Sequence, residues 1–419
     1  MDTELTETEA EAYVGEHCFT PSRPRLVGVE LEWLLRLADD AAAPVEGELS
    51  ESAVVPLVEG GPLPRGGRVT REPGGQVELS SHPAEGLAAG IADVRSDLAS
   101  IAEALAGRGL VLDGDGLDHC RTPALVLKDD RYRAMQAYFA DDGAAHTMMC
   151  GTASVQVNLD AGEAAGVLGY RRRWLLAHRL GPVLNAAFAN SPLMEGRPTG
   201  WKSTRQTLWW RLDPNRTRPA AEVDDDPRAT WTRYALDAGL LCLRREAPEP
   251  WDAPRGLTFR GWLRGECDER PPTMEDLRYH LGTLFPPVRP RGWLELRMID
   301  AQPGEDWMVP LALCWALFDD PAATVEAWEA TEPLVDADGR TPWSMWRQAA
   351  RDGLADPLLR EAAEACFAAA AEALDRTGVP DSARAALRDF TDRYVGLGRC
   401  PADDRLDTAA RTAGREAPA

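Results

Sequence analysis

The chain has 419 residues, 44 % of them apolar, and a net charge of −22. That apolar share can fill a sizeable core, while the acidity excludes non-specific nucleic-acid binding, because neutralising phosphates needs a basic face. No uncharged apolar run of about 18 residues occurs, so no membrane span is expected.

In chain order, residues 1–20 are acidic and expected to be a flexible N-terminus. RLVGVELEWLL over 25–35 reads as a strand, and RVTREPGGQVELSS over 68–81 as two short strands around a Pro-Gly-Gly turn. Residues 84–107 form a helical pattern through Leu87, Ile91, Val94, Leu98, Ile101 and Leu105, with Gly107 and Gly109 as stops. A strand follows at 109–114, a short helix at 130–140, a strand at 147–160 and a helix at 161–189. The stretch 190–230 reads as irregular and too long for a plain connector. Residues 274–284 read as a helix and GWLELRMID over 292–300 as a strand. Beyond 304 the pattern is helical, at 304–318, 321–331, 343–351, 356–376 and 380–396, with a flexible tail at 401–419. The fold class is α+β: one catalytic unit over 21–400, sheet-rich to about 303 and helical after it.

Side chains two apart on a strand share a face. On that rule Glu30 and Glu32 sit together, opposite Val29, Leu31 and Trp33. Gln76, Glu78 and Ser80 share a face, as do Gln156, Asn158 and Asp160, and as do Glu295 and Arg297. Taken singly, each is the wet side of a half-buried strand. Taken together they are a set of carboxylates and amides that stays ionised in one cavity only with compensating cations. Oxygen donors without His or Cys favour magnesium or manganese, and magnesium commonly bridges carboxylates and phosphates, which suggests a nucleotide. There is no P-loop, so phosphates would fall to metal ions and arginines: Arg297 and those of WKSTRQTLWWRLDPNR. Arginine supplies nearly all the positive charge, Lys128 and Lys202 being the two lysines. Genomic base composition accounts for that bias, and arginine also suits two-pronged recognition of carboxylate and phosphate.

The segments VGVELEW, REPGGQVELSS, HTMMCGTASVQVNLD, FANSP, STRQTLWWRLDPNRT and HLGTLFPPVRPRGWLELRMID, in this order, resemble glutamate–cysteine ligases of the plant and proteobacterial type. The likeness is greatest to the actinobacterial, ergothioneine-pathway branch of that family. It implies a glutamine-synthetase-like domain: a curved antiparallel sheet forming a funnel, surrounded by helices, with metals at its mouth. It implies ATP-dependent joining of the L-glutamate γ-carboxyl to the L-cysteine amine through a γ-glutamyl phosphate. Glu30, Glu32, Glu72, Glu78, Gln156 and Glu295 then look like ligands for two or three magnesium ions. Arg297 looks like a γ-phosphate and nucleotide contact and, with Glu30, a catalytic residue. Arg205 and Arg216 look like carboxylate or phosphate binders, and Tyr132, Met149, Asn158 and Trp209 look like parts of the substrate pocket.

The partners so implied are glutamate, cysteine and ATP. The rival readings are a phosphotransferase of the same fold, a ligase for another amine, and a non-catalytic binder. The eight cysteines show no C-x-x-C or zinc spacing and no secretory signal precedes them, so reduced thiols in cytoplasm are expected. The sequence does not choose between monomer and homodimer.

Overall fold

Strand alternation builds the sheet that positions the site. The computed structural model describes residues 4–23, 25–140, 142–220 and 226–416. Its strands are β1 (Leu26–Leu37), β2 (Arg68–Arg71), β3 (Val77–Ser80), β4 (Ala84–Glu85), β5 (Leu110–Asp113), β6 (Ser154–Asp160), β7 (Leu193–Met194), β8 (Arg197–Pro198), β9 (Val288–Pro290) and β10 (Trp293–Asp300). The main sheet runs β2-β3-β1-β6-β10-β9, with β4 and β5 also paired to β1, and every pairing is antiparallel. β7 and β8 form a separate small hairpin.

Val27, Val29 and Leu31 of β1, Val157 and Leu159 of β6, and Leu294 and Leu296 of β10 are buried. They pack under the helices Leu87–Ala106, Tyr170–Ala187 and Met308–Asp319. Burying each such side chain contributes roughly 1.5–3 kcal/mol, enough to fix which face looks inward. The register therefore leaves the acids on the other face: Glu30 opposes Ser80 and Gln156, Glu32 opposes Glu78, and Glu295 opposes Asn158.

β10 breaks its own alternation. Leu296 pairs with Val157 and Ile299 with Val155, so Arg297 and Met298 together face Gln156. This β-bulge keeps Ile299 in the core and turns Asp300, opposite Ser154, onto the polar face. The carbonyls it disturbs are met from the helix Thr204–Leu212. Arg205 reaches those of Arg297 at 3.2 Å and Ile299 at 3.4 Å, and Gln206 donates to that of Met298 at 3.1 Å.

Four expectations are corrected. The acidic N-terminus is not loose: Glu7–His17 is a helix closed by a Thr6/Glu9 capping box. Leu5, Ala10 and Val14 are buried, and Arg260 and Arg264 neutralise Glu7. The tail after 400 is the helix Pro401–Glu416; Ala402 N–H donates to Ala189 O at 2.9 Å and Arg405 pairs with Asp115. Residues 144–151 are a helix, not the start of a strand, and β6 begins at Ser154. The stretch 190–230 is ordered in its described parts. Ser203 caps Thr204–Leu212, and Asp213 and Asp226 cap the Pro-led helices Pro214–Thr217 and Pro227–Asp237. After β10 come the helices Met308–Asp319, Pro321–Ala330, Trp343–Asp352, Pro357–Arg376 and Asp381–Arg393, close to the expected bounds. No single helix among the described residues is long and apolar enough to cross a membrane.

Candidate active site

The polar face of the sheet opens into a cavity of about 470 Å³, within the usual range for small-ligand sites. β1 supplies Glu30 and Glu32, and β3 supplies Glu78. Glu72 stands at the Pro73-Gly74-Gly75 turn, which closes with Gly75 N–H donating to Glu72 O at 2.8 Å. Gly75 has φ +86, a conformation glycine adopts without strain. Gln76 locks this turn to the chain before β6, its Nε2 donating to Thr152 O at 2.8 Å.

The four acids differ in environment. Burial, with Glu295 and Glu78 nearby, pushes Glu30 up to about 7 against the pull of Arg297 and Arg289. Burial raises Glu32, opposed by Arg205 and Arg297. Glu72 is held well above the ordinary carboxylate range by burial and by Glu78 and Glu32. Burial and Glu32 raise Glu78 despite hydrogen bonds from Thr70 at 2.8 Å and Ser80 at 3.0 Å. Each therefore lacks the positive charge that would settle it as an anion.

Glu295 is the exception. Arg289 grips it with two prongs, Nε to Oε2 at 2.6 Å and Nη2 to Oε1 at 2.8 Å, and Arg297 adds a bond of 2.7 Å. Burial alone would raise it, but these guanidiniums bring it down to about 2. Both its oxygens are engaged, so here it orients two arginines. Arg297 also bonds Gln156 Oε1, and Gln156 Nε2 donates to Glu32 at 2.8 Å. One connected network thus runs from Glu32 through Gln156 and Arg297 to Glu295 and Arg289.

Tyr132, Met149 and Trp209 line the cavity with Met135, Met148 and Phe285. Asn158 stands behind its wall, donating to Glu30 at 3.4 Å and accepting from Trp293 at 3.1 Å. Arg205 is 3 % exposed; it lines a small adjoining recess with Arg297 and Trp209 rather than the cavity itself. Arg216 is misplaced by the sequence reading. It lies outside the cavity, fully buried, bonded to Thr283 and to the Gly239 carbonyl, and 3.4 Å from Asp213, and there it braces the fold.

Sequence reasoning missed Arg71, Arg131, Arg289 and Arg291, which line the cavity. The signal for Arg289 was a hairpin: the turn at Arg291-Gly292 pairs β9 with β10 and sets Arg289 directly opposite Glu295.

A larger cavity of about 850 Å³ lies elsewhere, between Pro214–Ala220, the helix Pro227–Asp237 and residues 336–346. Its carboxylates among the described residues are Asp237 and Asp336, and Asp336 accepts from its own turn. Convergence of acids and arginines, not size, marks the site.

Oxygen-only donors with raised affinity for protons suit hard cations. Among the described residues no three such groups already converge on one point. Glu30, Glu32, Glu72 and Glu78 instead line one cavity side by side with arginines. Fold and site together define the glutamine-synthetase-like class, an open antiparallel sheet with a cavity of acids and arginines on its polar face.

The comparisons make this particular. The family model for glutamate-cysteine ligase family 2 (GCS2) matches residues 26–417, and the chain belongs to that family. It is 41 % identical over 419 residues to the glutamate–cysteine ligase EgtA of Mycobacterium tuberculosis, covering 97 % of this chain and 91 % of that one. EgtA of Mycolicibacterium smegmatis is 40 % identical over 415 residues, covering 97 % and 93 %. The chloroplastic glutamate–cysteine ligase of Nicotiana tabacum is 31 % identical over 358 residues, covering 81 % and 65 %. A crystal structure of the Francisella tularensis glutamate–cysteine ligase in complex with AMP aligns with TM-score 0.50 at 11 % identity, covering 94 % and 89 %. That last likeness concerns the fold, and it bears out the glutamine-synthetase-like expectation.

Proposed function

We propose that this protein joins the γ-carboxyl of L-glutamate to the amine of L-cysteine with ATP, giving γ-glutamylcysteine, in cytoplasm and in the service of ergothioneine biosynthesis. The observation that carries the reading is the ring of under-compensated acids facing Arg297 and Arg289 in one cavity, in a chain that matches the EgtA ligases over nearly its whole length. Eight free cysteines, most of them buried, fit a reducing compartment.

In the first step a glutamate γ-carboxylate oxygen attacks the γ-phosphorus of ATP, and ADP leaves with the bridging oxygen. In the second the cysteine amine attacks the acyl carbon. The C–O bond to phosphate then breaks, and phosphate departs with one original carboxylate oxygen. Arg297, held by Glu295 and Gln156, would meet charge that builds on the transferred phosphoryl group. Glu30, Glu32, Glu72 and Glu78 would hold two or three magnesium or manganese ions, which when bound supply positive charge for phosphate oxygens. Tyr132, Met149 and Trp209 give the cavity an apolar side that orients substrate and excludes water. Glutamate labelled with ¹⁸O in its γ-carboxyl tests the reading: one label is expected in released phosphate, and its absence removes the acyl-phosphate step. Product masses with a panel of amines separate this ligase from a phosphotransferase, which would give phosphorylated product without an amine.

A further inference from the structure

Asp300 is 1 % exposed, an expensive place for a carboxylate unless it is bonded and paired. It is both. Its Oδ2 accepts from Asn190 N–H at 2.8 Å and from the Ser191 hydroxyl at 2.7 Å. Its Oδ1 accepts from the Ser203 hydroxyl at 2.9 Å and lies 3.6 Å from the Arg205 guanidinium. Ser191 ties the unit further, accepting from the Arg205 backbone N–H at 3.1 Å. The bulge at Arg297–Met298 is what makes this possible: without it, Asp300 would face the apolar core.

Arg205 in turn holds the bulge carbonyls of Arg297 and Ile299, and its charge acts on Glu32. Burial asks for a counter-charge beside the three donors, and the one supplied is Arg205, which also holds the backbone of Arg297. The guanidinium that pairs Asp300 thus bonds the backbone of Arg297, whose side chain belongs to the site's network.

We propose that Asp300 is a positioning residue of the active site: through Arg205 and the bulge it sets the guanidinium behind Glu32 and the placement of Arg297, without touching substrate. This rests on the reading of the acid-ringed cavity as the active site. The test is steady-state kinetics of the full chain with glutamate, cysteine and ATP each varied, for Asp300→Asn, Arg205→Lys and the double variant. Asp300→Asn is expected to lower kcat/KM about tenfold, the effect of one charge-assisted contact. It should move the same KM as Arg205→Lys, and the double variant should be no worse than Arg205→Lys alone. A lower melting temperature with every KM unchanged, and effects that multiply in the double variant, would overturn the proposal. If Asp300→Asn does not fold, Ser203→Ala decides: it keeps the charge and drops one donor together with the cap of Thr204–Leu212, so it is read beside Ser203→Asp, which keeps a cap but not the donor; both should move that same KM, and no movement in either counts against the proposal. Glu30→Gln keeps the two readings apart. Full turnover in Glu30→Gln would sink the cavity assignment, whereas an inactive Glu30→Gln with kinetically silent Asp300 and Ser203 variants sinks the positioning role alone.

Discussion

Glu30 ties the chemistry of the cavity to the stability of the protein without metal. Its carboxyl titrates at an ordinary 4.5 when unfolded and is pushed to about 7 when folded. Between those values the folded chain binds the proton more tightly, so stability falls as pH rises through the window. The difference, at about 1.4 kcal/mol per unit, is about 3 kcal/mol, present as a penalty above pH 7 and absent below pH 4.5. Glu32, Glu72 and Glu78 shift in the same direction and add to the slope. The assay is urea or thermal unfolding with a chelator present, at several pH values from 5 to 7.5. His178 and His280, which burial holds well below the usual imidazole range, pull the other way up to about pH 6.5, so the quantity to read is the difference between wild type and Glu30→Gln. Glu30→Gln should gain on the wild type as pH rises and be the more stable protein at pH 7.5. Magnesium should stabilise the wild type more at pH 7.5 than at pH 5.5, since the ions would bind the ionised acids. A slope that Glu30→Gln leaves unchanged would refute the argument.

Other consequences follow from the same geometry. Glu30→Gln should abolish most turnover, a loss of about 3–4 kcal/mol in transition-state stabilisation, measurable as kcat at saturating magnesium. Glu295→Gln should cost both turnover and stability, roughly 3–5 kcal/mol of the latter, because it leaves Arg289 and Arg297 without their shared anion; unfolding curves and kcat read the two separately. Gly74→Ala would place a Cβ 2.0 Å from the Cys150 carbonyl oxygen, so the turn carrying Glu72 must move. A destabilisation of about 1–3 kcal/mol or more is expected, with a raised KM. Gly143→Ala, which meets nothing within 4 Å, serves as the unperturbed control in the same unfolding assay.

Much of the sheet was legible because strand alternation is a local property. Glu30, Glu32, Glu78, Gln156 and Glu295 could be placed on one face from spacing alone, since apolar neighbours had to face the core. The helices after β10 were likewise written in their apolar periodicity. The acidic N-terminal helix was not, because it packs against the distant helix Pro227–Asp237, Leu5 before it bonds Pro272, and its charge finds Arg260 and Arg264.

Arginine roles were the least legible. The sequence determined that arginines, not lysines, would serve any anion site, and which strand faces would carry carboxylates. It could not separate Arg216, which bonds Thr283 and the Gly239 carbonyl, from Arg289, which holds Glu295. Nor could it show that two residues of β10 would oppose one of β6 and turn Asp300 toward Arg205. Those are decisions of tertiary structure. A guanidinium carries five donors on a flexible stem, and which acceptors it meets depends on strand register and on segments a hundred residues away, whereas the direction of a side chain on a strand is fixed by the backbone beneath it.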